Sequence, residues 1–243
     1  MSVWHAIFWG GLSSAALFLG QALAPFLEPR TKATGLLMGF GAGTMLSAVA
    51  YELIPSSDAG EGWGVAVGLL IGALVYYVSD RVIDSRGGDD RIDLDGDDAK
   101  GGSGAAMFLG ALLDGLPEAF ILGVGIALGG GVSVAFVVAV FVSNVPQGAA
   151  GTLALRQTGT STRTITRMWG SLTIASAAVA ASGFLVADSI PRQGLWAQAF
   201  AAGAVLVMLA DSMMPEAFQH GGKSVGLLTV LGYLVAAVLS VAS

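Results

Sequence analysis

Eight long apolar stretches constrain this chain more than any other feature of its sequence. Each has about 20 residues, the length that a helix needs to cross the roughly 30 Å hydrocarbon core of a bilayer. They run over approximately Trp4 to Ala24, Ala33 to Ile54, Trp63 to Val82, Ala105 to Leu128, Val132 to Leu155, Met168 to Ala187, Leu195 to Met214 and Ser224 to Ala242. Apolar and polar residues do not alternate within them, which favours helices over the strands of a membrane barrel. We therefore predict a single all-α membrane domain over residues 1–243, with eight transmembrane helices.

The composition supports a lipid environment and excludes several function classes. Only 12% of the residues are charged, against about 25% in a soluble domain. The chain has no cysteine, which excludes disulfides, thiolate metal sites and thiol catalysis. The low charge predicts a lipid bilayer as the surroundings, and nucleic acid is not an expected partner because no basic patch is large enough to bind it.

The basic residues define an orientation. Positive residues near the ends of spans are held on the cytoplasmic side. Only Arg192 falls on the opposite side, so ten of the 11 basic residues share one face: Arg30, Lys32, Arg81, Arg86, Arg91, Lys100, Arg156, Arg163, Arg167 and Lys223. We predict a multi-pass protein of the cell membrane (inner or plasma membrane) with both termini outside the cytoplasm.

One long loop, residues 83–104, is glycine-rich and acidic, with six aspartates between Asp89 and Asp98. Such a composition is typical of a solvated linker, and a weak cation-collecting segment is the alternative. An EF-hand is excluded because Gly104 occupies the position of the closing acidic ligand.

The second and seventh spans share identical residues at a constant offset of 160. The identical pairs are Phe40/Phe200, Ala42/Ala202, Gly43/Gly203, Leu46/Leu206, Ala50/Ala210 and Pro55/Pro215. Spans one to three and six to eight would then form two three-helix units of opposite topology around two central helices, a 3+2+3 arrangement. Inverted repeats of this kind are typical of secondary transporters.

Carboxyl groups within the apolar spans are the most informative polar residues, since each costs about 2.5–3.5 kcal/mol at a helix centre. They are Glu52, Asp114, Glu118, Asp211 and Glu216. The middle of the spans contains no lysine or arginine to pair with them, so the acids must be protonated, hydrated or compensated by a bound cation. The pattern predicts cation passage. Glu52 and Asp211 lie near span ends, where simple contact with water is an equal alternative, and Glu216 is expected at the cytoplasmic surface.

The fourth and fifth spans each contain a proline among polar residues. Asp114 and Glu118 are one helical turn apart with Pro117 between them, and a proline frees a backbone carbonyl. The fifth span repeats the pattern with neutral side chains, in the run Ser143-Asn144-Val145-Pro146-Gln147-Gly148. Aligning the two prolines places Ser143 opposite Asp114, and Gln147 opposite Glu118. We predict a cation site here, while hydrogen bonding between helices is the alternative role of the neutral residues.

These motifs resemble those of the ZIP (Zrt/Irt-like) family of divalent metal transporters. The fourth-span run Asp114-Gly115-Leu116-Pro117-Glu118-Ala119 corresponds to the family's His-Asn-x-Pro-Glu-Gly, and residues 210–217 resemble the seventh-span signature of bacterial members. The resemblance implies eight spans, elevator-like transport, and a metal site lined by Asp114, Glu118, Asn144 and Gln147. Ser143, Glu52 and Asp211 complete our list of candidate ligands. A homodimer would be consistent with the resemblance.

The expected cargo is a divalent metal ion moved into the cytosol, and no organic cofactor is expected. The family implies zinc first, with iron or manganese next. Asp114 replaces the family's histidine and Gln147 an acid, and oxygen-only ligation favours harder ions such as Mn²⁺, Mg²⁺ or Ca²⁺. Two alternatives remain open: a proton-coupled or proton-only carrier, and a transport-inactive metal-sensing membrane protein. An enzyme is not expected, because the spans offer no nucleophile paired with a base.

Overall fold

A computed structural model describes residues 1–28, 30–54, 62–83, 85, 104–127, 133–189 and 195–242. Every regular element in these ranges is helical, which confirms the all-helical prediction for them. The α-helices are α1 (Val3–Leu27), α2 (Thr31–Ala48), α3 (Gly62–Ile83), α4 (Gly104–Ala127), α5 (Val134–Gln157), α6 (Thr162–Val186), α7 (Leu195–Met208), α8 (Met214–Gly221) and α9 (Val225–Ala242). The acidic run of the long loop, Pro55 and glycines 129–131 lie outside the described residues.

Two short π-helical segments continue the second and seventh helices. The first π turn, Val49–Leu53, follows α2, and the second π turn, Leu209–Met213, joins α7 to α8. The two segments have the same length, and the offset of 160 that relates the repeated residues also relates them. π-Helix is rare and is frequently found at functional sites, so both π turns are candidate functional segments.

Seven segments among the described residues are long and apolar enough to cross a membrane. The last of them, Leu195–Ala242, is 48 residues long and includes α7, α8 and α9. The membrane character predicted from the sequence is therefore confirmed, while the number of eight spans stays a prediction.

The sixth helix begins at Thr162, earlier than the predicted boundary near Met168. Ser161 caps its N-terminus, because its side chain accepts a hydrogen bond from Thr164 N at 3.2 Å. Two arginines in these first turns lower the local hydropathy, so hydropathy alone locates the start too late.

The helices pack in pairs that match across the two halves of the chain. α2 packs on α9 as α7 packs on α3, and α1 packs on α5 as α6 packs on α4. α1 and α6 also pack on each other. The largest buried apolar cluster lies between α2, α4, α5 and α7, and includes Met45, Ile121, Phe136 and Val205.

Glycines at matching positions allow the closest helix contacts. A Cβ atom on Gly43 would lie only 1.9 Å from the carbonyl oxygen of Thr229, and one on Gly203 would lie 1.9 Å from that of Leu69. The two contacts are related by the offset of 160, which links Gly43 to Gly203 and Leu69 to Thr229. The same offset relates two further contacts. A Cβ on Gly72 would lie 1.8 Å from Phe200 O, and one on Gly232 would lie 2.1 Å from Phe40 O.

A second set of matching contacts relates α1 to α6 and α4 to α5. A Cβ on Gly20 of α1 would lie 2.2 Å from Val145 O, and one on Gly183 of α6 would lie 2.3 Å from Phe120 O. Gly20 and Gly183 are therefore equivalent positions, and so are Phe120 and Val145. The offset is 163 between α1 and α6, and 25 between α4 and α5.

Candidate functional site

Two buried carboxyl groups lie on α4 within a candidate membrane span, Met107–Ala127. Asp114 is 6% exposed and Glu118 is 4% exposed. Their positions four residues apart place both on one helix face, about 6 Å apart along the axis, with Pro117 between them. The structure thus brings together the two acids that the sequence singled out, in an environment where an uncompensated charge is costly.

The neighbouring helices α3 and α5 each provide a hydrogen-bond donor to Asp114 of α4. The hydroxyl of Tyr76, from α3, donates a hydrogen bond to its Oδ1. The side-chain amide of Gln147, from α5, donates from Nε2 to Oδ2 at 3.0 Å. Both carboxylate oxygens therefore accept hydrogen bonds from neighbouring side chains, which compensates part of the cost of burying this group.

The position of Gln147 corrects one prediction. Aligning the prolines of α4 and α5 placed Gln147 opposite Glu118, whereas its amide bonds Asp114. The prolines imply an offset of 29 between the two helices, but the glycine contacts that relate α4 to α5 have an offset of 25. The structural repeat therefore does not align the two prolines.

The other two polar residues of the α5 motif are buried and hydrogen-bonded to backbone. Ser143 Oγ donates to Val140 O at 2.9 Å, within its own helix. Asn144 Nδ2 donates to Ser13 O at 3.2 Å and so links α5 to α1. The Asn144 bond corresponds to the interhelical alternative, whereas the Ser143 bond stays within α5, and the role of both residues as metal ligands stays a prediction.

A cavity, here called the Asp114 cavity, lies beside this cluster. The space open to the centre of a water molecule is about 40 Å³, against roughly 10–15 Å³ needed for one ordered water. The cavity therefore has room for water or a small ion beside Asp114. Its lining residues are Met38, Met107, Ala111, Asp114, Gln147, Gly151, Leu155, Trp169, Met208, Ser212, Met213 and Glu216.

A second cavity, the Glu52 cavity, has about 170 Å³ open to water centres. It is lined by Glu52, Leu53, Ile121, Leu122, Gly125, Ile126, Ser133, Phe136 and Gln198. Glu52 belongs to the first π turn, and Gln198 to the first turn of α7. The structure thus separates Glu52 from Asp114 and places it at a polar site of its own.

The two cavities are lined by equivalent positions of the repeat. The offset of 160 relates three pairs of lining residues: Met38/Gln198, Ser212/Glu52 and Met213/Leu53. The offset of 25 between α4 and α5 relates three more: Ala111/Phe136, Leu122/Gln147 and Ile126/Gly151. The cavities are therefore counterparts of each other with different side chains.

The acids at the end of the seventh span have different surroundings. Asp211 is exposed on the second π turn and is not among the residues lining either cavity. Glu216, which the sequence places at the surface, lines the Asp114 cavity from α8. Within the described ranges, no three His, Asp or Glu side chains are grouped closely enough to hold a metal. A cation beside Asp114 and Glu118 would need neutral ligands as well.

Sequence reasoning missed several residues of this site. Tyr76 is a polar aromatic residue in the third span, and only the packing of α3 against α4 brings it to Asp114. No local sequence motif includes Gln198 or the methionines of the Asp114 cavity. The offset of 160 relates Met38 to Gln198, but it did not single out either residue.

No protein-family model matches the chain. It is 29% identical over 216 residues to a protein of Arabidopsis thaliana that bears the name "Putative zinc transporter". The similarity covers 87% of this chain and 34% of that protein, so this chain spans about one third of the relative's length. Most of this chain is thus similar in sequence to a protein named as a zinc transporter.

Proposed function

We propose that this protein is a secondary transporter that carries a divalent metal cation, zinc first, into the cytosol. One observation carries the proposal: of two buried carboxyl groups on a membrane-type helix, Asp114 lines one of two counterpart cavities, and Glu118 lies between the parts of α4 that line the two. Carboxylates inside an apolar span attract cations, and matched cavities give a cation a route to them.

The two cavities reach α4 at different heights. The Asp114 cavity ends at Asp114, and the Glu52 cavity begins at Ile121. The six residues between them include Glu118 and correspond to about 10 Å of helix. A cation would have to pass this closed layer, so we propose that the two cavities open alternately.

The repeat offers a mechanism for alternation. Leu195–Ala242 is 48 residues long, or about 72 Å of helix, which is twice what one crossing requires. Gly222, at φ 66°, lies between α8 and α9, where a reversal of direction is expected. We therefore propose eight spans in a 3+2+3 arrangement, with α1–α3 and α6–α9 as inverted repeats. Exchange of conformation between the repeats would open one cavity as the other closes.

The positive-inside pattern indicates which side of the membrane each cavity faces. α4 begins on the side of the basic loops, so the Asp114 cavity would face the cytosol and the Glu52 cavity the outside. We place both termini outside the cytoplasm, in the inner or plasma membrane. The sequence similarity to a protein named as a zinc transporter and the ZIP-like motifs both support metal transport.

The side chains at the site suit a cation that arrives and leaves. Asp114 supplies carboxylate oxygens, and the hydrogen bonds from Tyr76 and Gln147 stabilise it before a cation is bound. An amide has both a donor and an acceptor end, so rotation of Gln147 would turn its oxygen toward the cation. Glu118, one turn away, would receive the cation in the closed layer.

Uptake by the purified full chain in proteoliposomes tests the proposal. We expect accumulation of Zn²⁺, and of Fe²⁺ or Mn²⁺ at lower rates, that is abolished in Asp114→Asn. A pH-sensitive dye inside the vesicles separates the alternatives. Proton flux without metal would favour a proton carrier. Metal binding without metal flux would favour a sensor, and either result would overturn the proposal.

A further inference from the structure

Methionines are concentrated in the Asp114 cavity. Four of the eight methionines in the chain line it: Met38, Met107, Met208 and Met213. They come from α2, α4, α7 and the second π turn, so no local run of sequence brings them together. Methionine most often serves as flexible filling in apolar cores, and this has to be excluded before a chemical role is assigned.

The counterpart cavity shows that packing does not require a thioether at the positions of Met213 and Met38. The position equivalent to Met213 is Leu53, and the two side chains are similarly buried, at 6% and 3% exposed. The position equivalent to Met38 is Gln198. Equivalent positions of the repeat are therefore filled by leucine and glutamine in the Glu52 cavity, and by methionine in the Asp114 cavity.

Met213 lies close to the polar part of α5. A Cβ atom on Gly41 would be 3.1 Å from Met213 Cε and 3.0 Å from Ser143 Cα, so these two atoms border the same small space beside Gly41. Cε is bonded to the sulfur. The thioether therefore adjoins the proline-containing segment of α5 from which Gln147 reaches Asp114.

We propose that the Asp114 cavity is a mixed thioether and carboxylate site that selects soft or borderline cations over hard ones. Thioether sulfur prefers soft metals, whereas carboxylate and carbonyl oxygens suit Mg²⁺, Ca²⁺ and Mn²⁺. The expectation of an oxygen-only site is thereby replaced, since Met38, Met208 and Met213 add sulfur donors to Asp114 and Gln147. The inference rests on the proposed function, because it concerns the cargo of the same site.

X-ray absorption at the cadmium edge tests the ligands directly. The chain has no cysteine, so any sulfur bound to Cd²⁺ must come from methionine. We expect a cadmium–sulfur contribution from the purified protein loaded with one equivalent of Cd²⁺. We expect it to be lost in the triple variant Met38→Leu, Met208→Leu, Met213→Leu and retained in Met168→Leu, a methionine outside the cavity. Bound Cd²⁺ with oxygen ligands alone would overturn the inference.

Selectivity in proteoliposomes gives a second readout. The triple variant should lower the ratio of Cd²⁺ uptake to Mn²⁺ uptake by about tenfold relative to wild type, with Mn²⁺ uptake retained. The single variant Met213→Leu, whose counterpart is already leucine, should fold normally and lower the ratio in the same direction. Uptake with an unchanged ratio in both variants would contradict the inference alone. A complete lack of uptake by wild type would instead contradict the proposed function.

Discussion

Replacing Gln147 by glutamate puts a further carboxylate beside Asp114. The wild-type amide nitrogen lies 3.0 Å from Asp114 Oδ2, so the new group would face Asp114 directly. Glu118 follows one turn away on the same helix face. The substitution therefore tests whether this cluster holds a cation, because added negative charge is favourable there only when a cation is present.

The size of the effect follows from Coulomb's law at an effective dielectric constant of about 20. A divalent cation about 4 Å from the new carboxylate attracts it by about 8 kcal/mol. Without the cation, repulsion from Asp114 costs about 4 kcal/mol if the centres of the two carboxylates are about 4 Å apart, and repulsion from Glu118 costs about 3 kcal/mol if its carboxylate is about 6 Å away. In the metal-free protein, proton uptake by the carboxyl groups relieves this repulsion. Binding of the cation therefore has to overcome at most about 7 kcal/mol of repulsion between carboxylates. The net gain is about 1 kcal/mol or more, roughly fivefold or more in affinity.

Competition with a chromophoric chelator measures the Zn²⁺ affinity of the purified protein in detergent. We expect Gln147→Glu to bind more tightly than wild type by at least about fivefold, with more protons released per zinc. Gln219→Glu, which adds the same charge at an exposed position of α8, should leave both quantities unchanged. Equal or weaker binding by a folded Gln147→Glu protein would refute the reasoning.

Three further predictions concern the surroundings of the site. Tyr76→Phe removes a donor to Asp114 and should lower the free energy of unfolding by about 1–3 kcal/mol in the thermal melt, less so with saturating zinc. Gly203→Ala should lower the melting temperature, because its Cβ would lie 1.9 Å from a carbonyl oxygen, whereas Gly226→Ala has open space and should not. Glu52→Gln should raise the KM for external zinc in uptake assays and leave the zinc Kd of detergent-solubilised protein unchanged, since it lines the other cavity.

The acids of the site could be predicted because their signal is local. A carboxyl group in an apolar span is conspicuous in the sequence, and a spacing of four residues fixes a shared face once the segment is known to be helical. These two rules together identify Asp114 and Glu118 as a pair on one helix face. The pairing of Gln147 with Asp114 is different, because it depends on how far α5 is shifted along α4. An alignment of the two prolines compares sequence positions and does not say which side chains of α4 and α5 lie side by side.

The methionines and the second cavity lay beyond local rules. Met38 and Met213 are apolar residues in apolar helices, and only the packing of α2 against α5 and against the second π turn gives them a common cavity. The offset of 160 was visible in identical residues such as Gly43 and Gly203. It did not predict that the same offset relates two cavities, since cavity linings are where the repeats differ.

Zinc uptake by Glu118→Gln tests the central claim most directly. Glu118 lies in the closed layer between the two cavities, and glutamine keeps its shape without the charge. We predict that proteoliposomes with wild-type protein accumulate Zn²⁺, that those with Glu118→Gln do not, and that the exposed control Glu28→Gln matches wild type. Zn²⁺ uptake by Glu118→Gln at the wild-type rate would contradict the account.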